Sequence, residues 1–202
     1  MLTIANRHQL LIGSILLLLL AATRGQHFPA LDALPGASWA VFFLAGVYLR
    51  PAWVLPLLLA AAWGLDFLPH LLGGASLADI VGGGRAFCLT PAYLFLWPAY
   101  AALWLAGRWY ARRHRFHWRT LLPLAGALLA GASLCELFSS GGFYFFSGRF
   151  AEPTLAGFGA RLLEYFPRYL QSLAFYTGLA ALVHLAAGLA RRAARSRPAA
   201  AL

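Results

Sequence analysis

The sequence predicts an all-α, polytopic membrane protein whose six transmembrane helices pack as one bundle. Three observations predict it. Apolar residues make up 61% of the 202 residues and charged residues 11%, with a mean hydropathy of +0.70. Soluble domains run nearer half apolar and a quarter charged, and this chain has too few charges to cover such a core. The apolar residues fall into six runs that approach the ~20 residues a spanning helix needs. The arginines, finally, concentrate in alternate connections between those runs.

The first run, residues 9–23, follows Arg7 and reads LLIGSILLLLLAA. A signal peptide shares that pattern of one cation and an apolar stretch. The run breaks as AATRG with no A-x-A site, so a retained helix is expected. The second, 34–49, is also short, and both are expected to tilt or to draw in polar neighbours. The third covers 52–72. The fourth, 87–106, is opened by GGGRAFC and rich in Tyr and Trp, and the fifth covers 121–138. After it come FSSGGFYFFSGRF, read as a loop, and LAGFGARLLEYFPRYL, an amphipathic stretch with Arg161, Glu164 and Arg168 at helical spacing. The sixth, 169–190, leads into a basic tail at 191–202. The whole chain, 1–202, reads as a single transmembrane domain.

Charge orients the spans. All sixteen basic side chains are arginine, which with the Ala, Gly and Leu bias suggests a GC-rich bacterial genome. With the N-terminus in the cytoplasm, the inner segments hold Arg7, Arg50, the five arginines of GRWYARRHRFHWRT and the four of RRAARSR, with no acid. The outer segments mix Arg24, Arg85, Arg149, Arg161 and Arg168 with Asp32, Asp79, Glu152 and Glu164. The positive-inside rule selects this orientation, with both termini cytoplasmic in a bacterial inner membrane. It also accounts for the net charge of +10 without nucleic acid, because the basic clusters stand where topology needs them.

In this orientation the unusual polar groups gather at the outer side, as an outward-facing binding cavity would require. Asp66 and His70 stand at i, i+4 on the third run, where they either pair with each other or serve binding and gating. Glu136 near the end of the fifth run either snorkels to the interface or pairs with an outer arginine. His184 reads as a packed or interfacial histidine. Cys88 follows a glycine-rich loop and Arg85 at a helix N-terminus, where the dipole favours thiolate, both a nucleophile and a soft metal ligand. Cys135, in GASLCELF, reads as packing. Two cysteines at this spacing make no CxxC and no zinc pattern. Tyr93 lies near Cys88 in depth, and FYFF (Phe145 within it) either covers a flat ligand or rests on headgroups.

Taken with its length and six runs, the chain resembles the substrate-binding S-components of energy-coupling-factor vitamin transporters. The segment LPGASWAVFFLAGVYLRPAWVLPLLLAAAWGLDFL is similar to their second and third helices. Within that group GGGRAFCLTPAYLFLWPAYAALWLAGRWY resembles the BtuM type, which takes up cobalamin, vitamin B12. The resemblance implies that Cys88 ligates the cobalt of incoming cobalamin and supports loss of its upper cyanide. It further implies that Asp79, Tyr93 and Arg161 line the pocket, to which the polar and aromatic pattern adds Asp66 and Phe145. Cobalamin is the substrate and no resident cofactor is expected; the other partners are membrane lipid and either an energy-coupling module or none. Small residues at four-residue spacing on helix one dock many such proteins on a coupling subunit. Here leucines fill LLIGSILLLLLAA, which leaves a solitary transporter open. Two alternatives remain: an S-component for another vitamin or a metal, and a membrane thiol oxidoreductase using Cys88 and Cys135.

Overall fold

A computed structural model describes residues 6–24, 34–74 and 91–196 of the chain. Every regular element among them is helical: α1 (Asn6–Thr23), α2 (Ser38–Tyr48), α3 (Val54–Leu72), α4 (Leu96–Arg113), α5 (Leu121–Phe146) and α6 (Leu155–Ser196). Single 3-10 turns, Pro91–Phe95 and Trp118–Thr120, lead into α4 and α5. Among the described residues three helical stretches are long and apolar enough to cross a membrane: Asn6–Thr23, Trp118–Phe146 and Leu155–Ala194. The helices α2 and α3 are shorter apolar segments, and α4 ends in Arg112 and Arg113.

The expected boundaries shift wherever proline, glycine or packing outweighs apolar run length. The second run contracts to the 11 residues of α2, about 16 Å of helix. Pro35 and Gly36 precede it, and Pro51 disfavours helical backbone at Arg50. What α2 lacks in length it makes up in burial, since Trp39 through Val47 are all buried. A helix apolar on every side belongs at the centre of a bundle, and α2 packs on α1, α3, α4, α5 and α6.

Two glycines let α2 and α4 cross at backbone contact. A Cβ on Gly46 would lie 2.1 Å from the Trp104 carbonyl oxygen, and one on Gly107 would lie 2.1 Å from the Phe43 carbonyl oxygen. Each helix thus presents a glycine to the other's backbone, the small-residue route to close helix contact without a hydrophobic driving force. Phe42 then stacks on Tyr100, with ring centroids 4.2 Å apart.

The fifth run extends two turns past its expected end. SSGGFYFF, read from the sequence as a loop, continues α5 to Phe146, so Phe145 is helical. The reason is tertiary: a Cβ on Gly142 would come within 2.5 Å of the Phe95 side chain, so this glycine admits a ring rather than breaking the helix. The sixth run and the amphipathic stretch before it likewise form one helix. The 42 residues of α6 carry Pro167 inside them. At 1.5 Å per residue α6 is about 63 Å long, twice the ~30 Å apolar core of a bilayer. Hydrogen bonds from Ser172 to the Gly36 carbonyl (2.5 Å) and from Tyr176 to the Pro35 carbonyl (2.7 Å) fix α6 over the turn that opens α2.

Candidate functional site

The helix starts and ends just described converge at one end of the bundle. Residue 96 begins α4 and residue 113 ends it, so the two ends of α4 are about 27 Å apart. The arginine-rich connection to α5 stands at the far end. At the near end the start of α2, the start of α4, the second half of α5 and the first half of α6 enclose a cavity of about 660 Å³. Its walls are rich in aromatic rings, with Trp39, Tyr100, Phe143, Phe158, Tyr165 and Tyr169. Trp39 and Tyr169 stack with ring centroids 5.0 Å apart. Arg161 and Arg168 enter from α6, seven residues or two turns apart and hence on one helical face. The guanidinium of Arg161 lies over Phe150 and Tyr165, at 5.0 and 5.2 Å from the ring centroids.

Among the described residues Glu136 supplies the cavity's one carboxylate. It is 1% exposed, and no cation pairs with it among the described residues. Ser140, one turn on, donates to its Oε1 at 2.6 Å, while Oε2 is buried with no hydrogen-bond partner. Neither sequence expectation for Glu136 holds: it does not reach an interface, and it does not pair with Arg161 or Arg168, although both line the same cavity. A buried acceptor left open costs about 1–3 kcal/mol, more if charged. It is therefore the group in this cavity with most to gain from a hydrogen-bond donor.

Beneath the cavity lies a polar cluster that ties four helices together. Arg24, at the end of α1, donates through Nε and a terminal nitrogen to both carboxylate oxygens of Asp66 on α3, at 2.7 and 2.6 Å. Its other terminal nitrogen donates to Ser38 (3.1 Å) and to the Tyr100 hydroxyl (2.9 Å). The Tyr93 hydroxyl also donates to Asp66. Asp66, which the sequence offered either to His70 or to binding and gating, pairs with Arg24; the His70 side chain lies outside the described residues. The Arg24 guanidinium reaches both carboxylate oxygens at once, the bidentate geometry that makes such pairs strong. Both side chains are largely buried, at 11% and 17% exposure. Ser38 and Tyr100 belong to this cluster and also line the cavity, so the ion pair sets the position of part of its wall.

The candidate residues therefore separate. Arg161 lines the cavity. Phe145 stands one ring away, 5.6 Å from Phe158. Asp66 and Tyr93 form the cluster beneath, where Tyr93 also packs on Trp63 and Phe67 at 5.7 and 6.1 Å. Cys88 and Asp79 lie outside the described residues, as does the His70 side chain. Cys135 is a free thiol, fully buried against the core, which agrees with its reading as packing. Among the described residues no group of three or more His, Cys, Asp or Glu could hold a metal ion. Sequence reasoning overlooked Trp39, Arg168 and Tyr169, and above all Arg24. Glu136 carried a usable signal, an acid within an apolar run followed by two serines.

No model of a known protein family matches the chain, and no curated protein does.

Proposed function

We propose that this chain binds cobalamin at the aromatic end of the bundle and mediates its uptake across a bacterial cytoplasmic membrane. In this reading the cavity faces outward and both termini are cytoplasmic, because the arginine-rich connection lies at the opposite end of α4. Residues flanking the shorter helices complete six crossings. The observation that carries the reading is the chemistry of the cavity lining: six aromatic rings, with two arginines and one open carboxylate. A corrin is broad and apolar with a fringe of amides, and such a pocket offers both kinds of contact. The resemblance of residues 82–110 to BtuM-type proteins supplies the particular substrate.

Each residue then has a task. The Cys88 thiolate forms a cobalt–sulfur bond as the cobalt–cyanide bond breaks. Cyanide leaves with its electron pair, and the oxidation state of cobalt is unchanged. Holding thiolate and cobalt within reach is the protein's contribution to that exchange. Glu136 accepts from a substrate amide, Arg161 and Arg168 donate to amide carbonyls, and Trp39 with Tyr169 covers a face of the ring. Asp79 and Phe145 contribute to the pocket rim, while Asp66 and Tyr93 hold its base. Uptake proceeds either alone or with an energy-coupling module.

A second reading, an S-component for another vitamin, draws on Glu136: an aromatic pocket with an open carboxylate also suits a cationic ring. Fully buried Cys135 argues against the dithiol oxidoreductase. The deciding experiment incubates purified wild type and Cys88→Ala with cyanocobalamin, removes free ligand and records absorption spectra. Wild type is expected to retain corrinoid with a shifted, cyanide-free spectrum, and the variant to retain it unshifted. Retention by neither rejects cobalamin and directs the search to other vitamins.

A further inference from the structure

A second cavity, larger than the first at about 1110 Å³, opens at the arginine-rich end of the bundle. Its sides are apolar, with Ile12, Leu16 and Leu19 from α1 facing Leu179 and Val183 from α6. Along α6 the lining runs from Tyr176 to Arg191, fifteen residues or about 22 Å. One leaflet with its headgroup region measures about 20 Å, half of a ~40–45 Å bilayer. The groove is as deep as a leaflet.

Its histidines and its arginine sit toward one end. His8, His114, His184 and Arg191 line that end, and among the described residues no acid does. Phe116 closes over Gly188, where a Cβ would come within 2.5 Å of the ring. Arg192 stacks on the outer face of Phe116, its guanidinium 4.4 Å from the ring centroid. Two arginines, one in the lining and one just above, thus stand at the mouth of an apolar slot.

We propose that this groove is a binding site for one anionic phospholipid, an acyl chain lying between α1 and α6 and the phosphate meeting Arg191, Arg192 and His8. An apolar slot of leaflet depth with cations at its headgroup end is complementary to that amphiphile at both ends. Basic pockets between membrane helices on the cytoplasmic side select anionic headgroups by the same electrostatics. Nothing in this inference depends on cobalamin.

Native mass spectrometry of the full chain in mild detergent, with phosphatidylglycerol and phosphatidylcholine at equal concentration, tests it. Wild type is expected to carry one phosphatidylglycerol per chain, at least about fivefold over phosphatidylcholine. Arg191→Gln combined with Arg192→Gln brings the two lipids to parity, and Ala187→Trp, placed in the groove wall, removes the adduct. Equal adducts on wild type, a preference that survives the double arginine variant, or a dimer of chains in place of a lipid adduct would each overturn the proposal. If Ala187→Trp does not fold, the double arginine variant decides alone, since its substitutions are on the exposed end of α6.

Discussion

The two cavities share walls but not chemistry. Both are lined by α2 and α6, near one end with Trp39 and Tyr169, near the other with Tyr48 and His184. The first gathers a carboxylate, two arginines, three serines from α5 and α6, and stacked rings. The second is larger, mostly apolar and, among the described residues, free of acids. Size alone would favour the second as the ligand site. Directional groups favour the first, because specificity for a polar solute comes from donors and acceptors that burial leaves unmatched, and Glu136 is such a group. In a membrane bundle an apolar hollow is filled by lipid at little cost, whereas an open buried carboxylate calls for a partner.

The largest effect that would break the comparison lies between the cavities. Gly46→Leu forces a side chain into the Trp104 backbone. It is expected to cost more than about 3 kcal/mol and abolish both sites, read as loss of a cooperative melt in detergent. Next comes Asp66→Ala, which strands the Arg24 guanidinium. A loss of about 3 kcal/mol is expected, together with weakened binding at the first cavity because Ser38 and Tyr100 lose their anchor. A melt of this variant matching wild type would mean that the ion pair does not position the wall.

Smaller changes sharpen the contrast. Glu136→Gln keeps its shape and can keep the Ser140 contact, so stability should change by less than about 1 kcal/mol. Ligand affinity should nonetheless fall about tenfold, and a fall in stability without a fall in affinity would assign Glu136 a purely structural role. The smallest effect belongs to His114, in the connection between α4 and α5. Burial, and then the neighbouring His184, hold its pKa below the usual histidine value. The folded protein therefore binds fewer protons here than the unfolded chain, so stability should decline as pH falls through about 6.5. His114→Gln should flatten that decline, as denaturant titrations at pH 5.5 and 7.5 would show.

Much of this architecture was legible in the sequence. Each of the six apolar runs overlaps a helix of the described residues, the fourth only in its second half, because the apolar signal is local. The boundaries that moved depended either on local proline and glycine, as at α2, or on contacts distant in sequence, as at the end of α5. SSGG reads as a loop until Phe95 is placed over Gly142, and residues 155–196 read as two segments until Pro167 is seen inside one helix. Arg161 was recoverable from helical spacing and the family resemblance. Arg24 was not: it sits 42 residues from Asp66, and nothing local distinguishes it from a charge that anchors topology. Trp39 was likewise one aromatic among many until α6 brought Tyr169 against it.

Under the proposed function the first cavity, and not the second, receives cobalamin. Equilibrium titration of cyanocobalamin against Trp39→Ala and Ala187→Trp, side by side with wild type, asks that directly. Removing the stacked ring at the first cavity should weaken binding by at least about thirtyfold, while filling the second should leave it unchanged. Undiminished binding by Trp39→Ala, with loss in Ala187→Trp, would place the solute at the wrong end of the molecule and contradict the account.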